Sequence, residues 1–353
     1  MSFQLPDMAP LLPWYEKNAR DLPWRETRDP YRIWVSEIML QQTRVEAVIR
    51  YYERFLSRLP DVRALAECPE DELLKLWEGL GYYSRVRNMQ KAARVIMSEQ
   101  GGTFPTTFAG VLALPGIGEY TAGAICSFAF DLPYPAVDGN VLRVAARLLN
   151  FEEDILAPAS KKVLTAAVAA AQPKDSAAVF NQAMIELGAT VCLPNGAPRC
   201  EACPVWGDCA ARRAGREQEL PVRKKPAPRK IEERTVLILR VEDRVALRKR
   251  PETGLLAGLF EPFSFSEALD KKAVAERLTA AGGFPLRVTP LGDAKHIFTH
   301  IEWRMTGFEV ILGAENAETV CKNLDKSLFF APRDEIDGQY ALPSAYRAYR
   351  AFM

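Results

Sequence analysis

The stretch from residue 114 to residue 140 constrains the fold more than any other part of the chain. It begins Leu-Pro-Gly-Ile-Gly. Pro115 ends the preceding helix because proline cannot continue the hydrogen-bond ladder, and Gly116 and Gly118 allow a tight turn whose backbone another molecule can approach closely. Residues 120–130 are small and apolar, which predicts a buried helix. A glycine turn leading into a helix N-terminus points unpaired N–H groups outward, so it can bind a phosphate.

An aspartate follows this predicted helix. Asp138 precedes Gly139, Asn140 and a segment with helical periodicity over residues 141–148. Taken alone, this is a glycine-containing turn between helices with Asp138 as an ordinary N-cap. The whole pattern also resembles the helix–hairpin–helix–Gly/Pro–Asp motif of DNA glycosylases. That resemblance implies that Gly116 and Gly118 contact DNA.

A second carboxylate lies in an apolar run near the N-terminus. We predict that a helix opens at Ser36, which places Glu37 in its first turn, where an acidic residue commonly favours the helix dipole. The neighbours of Glu37 are apolar, however, and a carboxyl group desolvated among them has its pKa raised, as a general acid near neutral pH requires. The chain has two histidines, both after residue 295, so chemistry in the N-terminal two-thirds must use carboxylates, hydroxyls, amines or thiols.

The segment around Glu37 resembles the catalytic-glutamate helix of adenine DNA glycosylases of the MutY type. Residues 78–88 agree with this resemblance, because they contain the string Gly-Leu-Gly-Tyr-Tyr-Ser-Arg-Val-Arg-Asn that is characteristic of the superfamily. Aromatic residues beside arginines suit a flexed DNA backbone with an exposed base step. By composition alone, the same loop also fits an ordinary packed connection between helices.

The resemblance implies an enzyme that hydrolyses the bond between adenine and deoxyribose. Protonated Glu37 donates to the adenine ring, ionised Asp138 stabilises the cationic sugar or briefly bonds to it, and Tyr120 assists. The base must first rotate out of the duplex. Endonuclease III-type members carry a lysine where this chain has Tyr120, and that lysine forms a Schiff base with the sugar. A phenol cannot do so, so we expect a monofunctional glycosylase that leaves an abasic site.

The resemblance also implies a set of residues that contact DNA. Gln42 and Tyr82 wedge into the duplex, and Asn140 belongs to the DNA-binding set. The residues expected to line or support the adenine pocket are Arg20, Trp24, Leu40 and Gln182.

A cluster of cysteines predicts a metal site. Four of the seven cysteines, Cys192, Cys200, Cys203 and Cys209, are separated by seven, two and five residues. The N-terminus lacks the features of a secretion signal, so we expect a cytoplasmic, DNA-associated protein in which these thiols are metal ligands rather than disulfides. Spacing alone does not decide between zinc and an iron–sulfur cluster. The resemblance implies one 4Fe–4S cluster, and here the first interval is one residue longer than in the family.

The C-terminal third has a different pattern. After a basic, proline-containing linker, residues 235–241 and 244–250 alternate with period two and predict a β-hairpin. Further strands and helices predict an independent α+β domain. Residues 254–261 resemble the Nudix fold of MutT-like proteins, but the glutamate cluster that holds magnesium in Nudix hydrolases is missing, so a binding module is favoured.

In MutY-type enzymes this domain recognises 8-oxoguanine through a Phe-Ser-His loop. The corresponding residues here are Phe298, Thr299 and His300. Threonine keeps the hydroxyl of serine, so the resemblance implies the same role. Without the resemblance, these residues read as a strand with His300 on its polar side.

The sequence thus predicts a mainly α helix–hairpin–helix glycosylase domain over residues 1–211, with its cysteine cluster at 192–209. A linker over 212–232 leads to a Nudix-like α+β domain over 233–353. The net charge of +1 excludes a global basic field, so DNA contacts must come from local patches. No apolar run reaches the roughly eighteen residues of a membrane span.

The expected partner is double-stranded DNA with an 8-oxoguanine:adenine or guanine:adenine mispair, bound by a monomer. Three alternatives compete with this interpretation. A bifunctional glycosylase/lyase is opposed by Tyr120, a non-catalytic iron–sulfur DNA-binding protein by the two carboxylates, and a nucleotide pyrophosphohydrolase by the missing glutamate cluster.

Overall fold

The computed structural model describes residues 3–224 and 227–353, and the chain divides into two compact units. The first comprises Met1–Glu67 and Arg87–Lys225, and the second comprises Cys68–Val86 and Pro226–Met353. The Cys68–Val86 segment therefore groups with the C-terminal part of the chain.

The described residues before position 225 form helices and loops, as the sequence predicted. Short 3₁₀ helices occur at Pro23–Arg25, Cys200–Ala202 and Trp206–Asp208. The α-helices are α1 (Leu11–Asn18), α2 (Pro30–Leu40), α3 (Val45–Arg58), α4 (Val62–Glu67), α5 (Glu70–Leu76), α6 (Ser84–Glu99), α7 (Phe108–Leu112), α8 (Glu119–Phe130), α9 (Gly139–Leu148), α10 (Pro158–Ala171), α11 (Ala177–Thr190) and α12 (Ala210–Arg213).

Helix α2 begins earlier than predicted. The side chain of Asp29 accepts a hydrogen bond from the Tyr31 N–H at 2.9 Å, and Pro30 occupies the first turn, where its fixed φ favours the helix. The predicted helix start at Ser36 is therefore wrong. Glu37 lies beyond the first turn, on a buried stretch of α2, rather than at a solvated helix start.

Helix α8 packs tightly against the segment that leads to Asp138. A Cβ atom added at Gly123 would overlap the carbonyl oxygen of Pro135, so only glycine allows this approach. The Asn181 amide of α11 holds the same segment, because its Nδ2 donates to the Tyr134 carbonyl at 2.9 Å and its Oδ1 accepts from the Ala136 N–H at 3.1 Å. These contacts fix where the N-terminus of α9 lies.

The second unit is built on a mixed sheet. Among the described residues, the strands run in the order β3-β2-β1-β6-β5, with β4 paired to β1 and β7 paired to β2. The pair β1–β6 is parallel, and the other pairs are antiparallel. The predicted hairpin is confirmed as β1 and β2. The strands are β1 (Lys230–Val241), β2 (Arg244–Lys249), β3 (Phe260–Glu261), β4 (Phe263–Phe265), β5 (Pro285–Ile297), β6 (Ile301–Leu312) and β7 (Phe329–Pro332).

Both faces of the central strand β1 are buried. Leu237 and Leu239 pack with α13 (Lys271–Ala280) and α14 (Ala314–Leu324). Val236 and Ile238 pack on the other face, beside α15 (Arg333–Gln339) and the segment Ser344–Phe352. That last segment is a 3₁₀ helix. Across residues 3–224 and 227–353, no helix combines the length and hydropathy needed to cross a membrane.

Candidate active site

A cavity of about 460 Å³ in the first unit brings together residues that are far apart in sequence. Its walls come from the Pro23–Arg25 turn, α2, α8, the N-terminus of α9 and α11. The sequence-predicted residues that line it are Arg20, Trp24, Glu37, Leu40, Gln42, Tyr120, Asp138, Asn140 and Gln182.

Glu37 lies in this cavity with only 5% of its surface exposed. Its Oε2 accepts a hydrogen bond from the Tyr120 hydroxyl at 2.5 Å. Burial raises the pKa of Glu37 to about 7, and the negative charge of Asp138 acts in the same direction, whereas the Tyr120 hydrogen bond and the Arg25 guanidinium lower it. A substantial fraction of Glu37 is therefore protonated at neutral pH.

Asp138 caps helix α9 and has a different set of partners. Its Oδ1 accepts from the Asn140 and Val141 N–H groups at 2.8 Å each, and its Oδ2 accepts from the Asn140 side-chain amide at 2.7 Å. Burial raises the pKa of Asp138 above its ordinary value, although these N–H donors and Arg143 oppose the shift. Three N–H donors stabilise a carboxylate more than one hydroxyl does, so a proton in the cavity resides on Glu37 and the charge on Asp138.

Tyr120 lies in the first turn of α8, and its phenol interacts electrostatically with both Glu37 and Asp138. Burial and the charges of Glu37 and Asp138 raise the pKa of this phenol well above its ordinary value. The hydroxyl therefore stays protonated and acts as a donor to Glu37.

Sequence reasoning missed two residues beside this cavity. Arg25 lines it, and Glu186 binds both Arg25 and Arg20 from α11. The sequence Leu-Pro-Trp-Arg over residues 22–25 indicates a rigid loop and gives no role to the Arg25 side chain. No sequence signal marked Glu186.

The two residues predicted to wedge into DNA share a backbone conformation. Gln42 has φ +59° and Tyr82 has φ +47°, which is the left-handed region that non-glycine residues rarely adopt. Gln42 lies at the cavity in the first unit. Tyr82 belongs to the second unit, where its hydroxyl lies 3.3 Å from the Thr299 Oγ1.

The glycine turn before α8 does not line the cavity. Gly116 has φ +77°, and a Cβ atom there would lie 2.5 Å from the Asn88 Cβ. Both the backbone conformation and the close packing therefore require glycine. Gly118 caps α8 and has no heavy atom within 4 Å of an added Cβ. The N-terminus of α8 is therefore open to close approach beside Gly118.

The four clustered cysteines line a second cavity, between α9, α11 and the loop that follows α11. Arg147 donates to the Cys192 Sγ at 3.2 Å, and Arg143 bridges the Cys192 carbonyl (2.8 Å) and the Asn140 side-chain oxygen (2.9 Å). Among the described residues, no group of three or more His, Cys, Asp and Glu side chains has the arrangement that binds a metal ion. Four thiols around one cavity are a donor set that suits either a zinc ion or an iron–sulfur cluster.

The predicted Phe298–His300 loop is the turn between β5 and β6 in the second unit. The Phe298 N–H donates to the Ile301 carbonyl at 2.8 Å, which closes the turn. The Phe298 ring packs edge-on against His296 and Trp303, with ring centroids at 4.6 and 4.8 Å. This packing holds the turn while leaving Thr299 and His300 exposed.

Comparison with known proteins bears on both units. The family described as HhH-GPD superfamily base excision DNA repair protein matches residues 35–170, and the NUDIX domain matches residues 234–351. The adenine DNA glycosylase of Buchnera aphidicola subsp. Baizongia pistaciae is 32% identical, over 91% of this chain and 89% of that protein. The mouse (Mus musculus) adenine DNA glycosylase is 37% identical, over 88% of this chain and 71% of that protein.

Solved structures show the same fold for the helical part. A thermostable thymine-DNA glycosylase superimposes with a TM-score of 0.52 at 28% identity, covering 59% of this chain and 95% of that one. A trapped Endonuclease III–DNA covalent intermediate gives a TM-score of 0.51 over the same shares, and at 22% identity it shows the fold alone. With relatives above 30% identity along most of its length, this chain belongs to the adenine DNA glycosylases, a family of DNA N-glycosylases of base excision repair.

Proposed function

We propose that this protein excises adenine mispaired with 8-oxoguanine, or with guanine, from duplex DNA, and that it leaves an abasic site without cutting the strand. The observation that carries the proposal is the pair of unlike carboxylates in one cavity. Glu37 is buried with a raised pKa, and Asp138 is held by three N–H donors. Acid-assisted cleavage of a glycosidic bond requires one protonated and one ionised carboxyl group.

The reaction follows from these two environments. Glu37 donates its proton to a ring nitrogen of the flipped adenine, and the electron pair of the glycosidic bond leaves with the base. Asp138 stabilises the positive charge that develops on the sugar, or bonds to it briefly, until a water molecule adds and the proton that this water loses returns to ionised Glu37. Tyr120 holds Glu37 in position through its 2.5 Å hydrogen bond. It offers no amine to form an imine with the sugar, which supports a monofunctional reaction.

The remaining residues of the cavity are proposed to hold the extruded base. Trp24 and Leu40 offer apolar surface, Arg20 and Gln182 offer hydrogen-bond donors, and Asn140 orients Asp138. Flipping the adenine leaves a gap in the duplex that the wedging side chains fill. The positive φ values of Gln42 and Tyr82 support this role, because strained backbone concentrates at functional positions.

Two further surfaces are proposed to bind the duplex. Gly116 and Gly118 present the N-terminus of α8 to a backbone phosphate. Phe298, Thr299 and His300 recognise 8-oxoguanine, supported by the exposed β5–β6 turn and by the contact between Thr299 and Tyr82. In this proposal residues 1–211 carry out the chemistry, 212–232 form a linker and 233–353 read the opposite base, within a monomer.

Cys192, Cys200, Cys203 and Cys209 are proposed to hold one 4Fe–4S cluster. When bound, the cluster supplies a rigid cross-link of the loop after α11 rather than a step of the reaction. Arg143 ties this loop to Asn140, so an ordered loop supports the N-terminus of α9 and the orientation of Asp138.

Single-turnover release of adenine from four duplexes tests the proposal, with adenine opposite 8-oxoguanine, guanine, cytosine or thymine. We expect the fastest release opposite 8-oxoguanine, slower release opposite guanine, and little opposite thymine. Thr299→Ala should reduce the ratio of the first two rates, whereas Thr289→Ala, in the body of β5, should leave it unchanged. Equal rates on all four duplexes would refute recognition of the opposite base.

A further inference from the structure

Glu186 is a buried carboxylate to which the proposed reaction assigns no role. It lies on α11, one turn after Gln182, and its side chain is 0% exposed. Its Oε1 accepts from the Arg20 backbone N–H (3.2 Å) and Nε (2.8 Å), and its Oε2 accepts from the Arg20 Nη2 (2.9 Å) and the Arg25 Nη2 (2.6 Å). These charge-assisted bonds hold two guanidinium groups against one carboxylate.

Both arginines line the cavity that contains Glu37, whereas Glu186 does not. Arg25 is 14% exposed, its Nη1 donates to the Arg20 carbonyl at 2.9 Å, and its guanidinium lies over the Tyr15 ring at 5.4 Å. The Tyr15 hydroxyl in turn donates to the Gln182 Oε1 at 2.6 Å, which directs the Gln182 NH₂ group away from Tyr15. Glu186 therefore anchors a hydrogen-bond network, and Arg20, Arg25 and Gln182 of this network line the proposed adenine pocket.

Electrostatics explains why this network needs an anion. Two guanidinium groups this close together repel each other, and a buried charge without a partner is strongly unfavourable. The cavity also has to accommodate a sugar that becomes positively charged, and unneutralised arginines would oppose that charge. One buried carboxylate holds both arginines and offsets part of their charge.

We propose that Glu186 is a positioning residue for adenine release, which acts by holding Arg25 and Arg20 at the wall of the cavity beside Glu37. The inference rests on the proposed function, because it assigns Glu186 to the same reaction. Glu186 does not contact the base or the sugar. Its effect on the reaction passes through the arginines.

A double-mutant cycle tests this route of action. Glu186→Gln, Arg25→Met and the double variant would be compared with wild type in single-turnover release of adenine opposite 8-oxoguanine. We expect each single variant to slow release roughly 10- to 100-fold, as misplacement of groups around a reacting centre does. The double variant should be slower than Arg25→Met by much less than the factor that Glu186→Gln costs in wild type, because Glu186 then has only Arg20 left to position. Glu67→Gln, which removes an exposed ion pair with Arg63, is the matched control and should leave the rate unchanged.

The pH dependence of the rate separates positioning from a general loss of structure. The ionisable groups that act on Glu37 are Tyr120 on α8, Asp138 before α9 and Arg25 from the Pro23–Arg25 turn. Arg25→Met removes the cation that favours ionised Glu37, so the alkaline limb of its pH–rate profile should move to higher pH. Glu186→Gln should move the limb in the same direction and by no more than Arg25→Met, because the released guanidinium keeps its charge but lies farther from Glu37. A limb moved to lower pH in Glu186→Gln would show that Arg25 stays in place without Glu186, and it would overturn the positioning role.

The outcomes separate this inference from the proposed function. No adenine release by wild type would overturn the proposed function itself. Release by wild type with additive losses in the double variant, or an unshifted alkaline limb in Glu186→Gln, would overturn only the role of Glu186. If Glu186→Gln fails to fold, Glu186→Asp, which keeps the charge on a shorter side chain, takes its place in the same cycle with the same criteria.

Discussion

Glu37 and Asp138 show how local environment separates two carboxyl groups that share one cavity. Burial with a single hydroxyl donor favours the neutral acid at Glu37, and three N–H donors at a helix N-terminus favour the anion at Asp138. Tyr120 adds a donor without adding charge. The proposed assignment of the proton to Glu37 and of the negative charge to Asp138 thus follows from the partners of each group.

The raised pKa of Glu37 predicts a pH-dependent cost to stability. Its pKa is about 7 in the folded protein against an ordinary value of 4.5 for a glutamate side chain, so this group's contribution to stability is fully present below about pH 4.5 and is lost as pH rises through 7. The Glu37→Gln variant has no carboxyl group to ionise at this position, so it does not lose this stability as pH rises. Its free energy of unfolding relative to wild type should therefore rise by about 2 kcal/mol between pH 5.5 and pH 8. Urea unfolding at both pH values measures this, and a pH-independent difference would contradict a buried titrating Glu37.

Removing the Tyr120 hydroxyl should raise the pKa of Glu37. The hydrogen bond to Glu37 lowers the Glu37 pKa, so Tyr120→Phe should raise it further and move the alkaline limb of the rate profile up by about one pH unit. Single-turnover rates from pH 5.5 to pH 9 measure the limb. Tyr31→Phe, whose hydroxyl donates to the Leu59 carbonyl away from the cavity, is the control. A downward shift in Tyr120→Phe would show that the hydroxyl does not stabilise ionised Glu37.

Residue-scale chemistry was only partly readable from the sequence. The apolar neighbours of Glu37 predicted a desolvated carboxyl, because those neighbours are adjacent along the chain. Glu186 could not be recognised, because its partners Arg20 and Arg25 are 166 and 161 positions away and meet it only through the packing of α11. Sequence patterns report local environments and leave such long-range ion pairs unseen.

At the scale of elements, the approach of α8 to the segment before Asp138 sets the active-site geometry. We predict that Gly123→Ala destabilises the protein by about 1–3 kcal/mol, because the added methyl group would overlap the Pro135 carbonyl oxygen and push the backbone that leads to Asp138. The rate of adenine release by Gly123→Ala should also fall. Thermal unfolding and single-turnover rates measure both effects.

Gly118→Ala on the same helix provides the comparison, since an added Cβ there has no heavy atom within 4 Å. It should cost much less stability than Gly123→Ala. An equal loss of stability in Gly118→Ala and Gly123→Ala would show that the close approach of α8 does not control the position of Asp138.

The bounds of the helices and strands also show which features can be predicted from local sequence and which depend on tertiary packing. The β1–β2 hairpin was predicted because period-two patterning on both sides of a two-residue turn is a local signal. The start of α2 was misplaced by giving weight to Ser36 and missing the Asp29–Pro30 cap. The helices α14 and α15 were not predicted, although Ala317, Val320 and Cys321 of α14 recur at helical spacing.

At the scale of the whole molecule, a partly buried network of ion pairs holds the Cys68–Val86 segment within the second unit. Glu78 is 17% exposed and accepts from Lys75 (2.6 Å), Arg350 (2.5 Å) and the Leu342 N–H (3.1 Å). Asp71 adds an ion pair with Lys249 at 2.6 Å. Tyr82 lies on the same segment as these anchors, so the network also supports its contact with Thr299.

We predict that Glu78→Ala lowers the free energy of unfolding by about 1–3 kcal/mol, because the Arg350 Nη1 and the Leu342 N–H lose their acceptor and Lys75 keeps only the Tyr340 carbonyl. Glu67→Ala, from an ion pair whose side chains are each 67% exposed, should change it by less than about 1 kcal/mol. Chemical unfolding and limited proteolysis of the Cys68–Val86 segment measure the two variants. Similar stability of both would contradict a network that anchors this segment.

We propose that two unlike carboxylates, Glu37 and Asp138, release adenine without cutting the strand. The most direct test is single-turnover release from a duplex with one adenine opposite 8-oxoguanine, using wild type, Glu37→Gln and Asp138→Asn, with strands analysed before and after alkali. We predict release by wild type alone, with strand breaks appearing chiefly after alkali. Undiminished release by either variant, strand cutting without alkali, or tight binding of the duplex by wild type without release would contradict the claim.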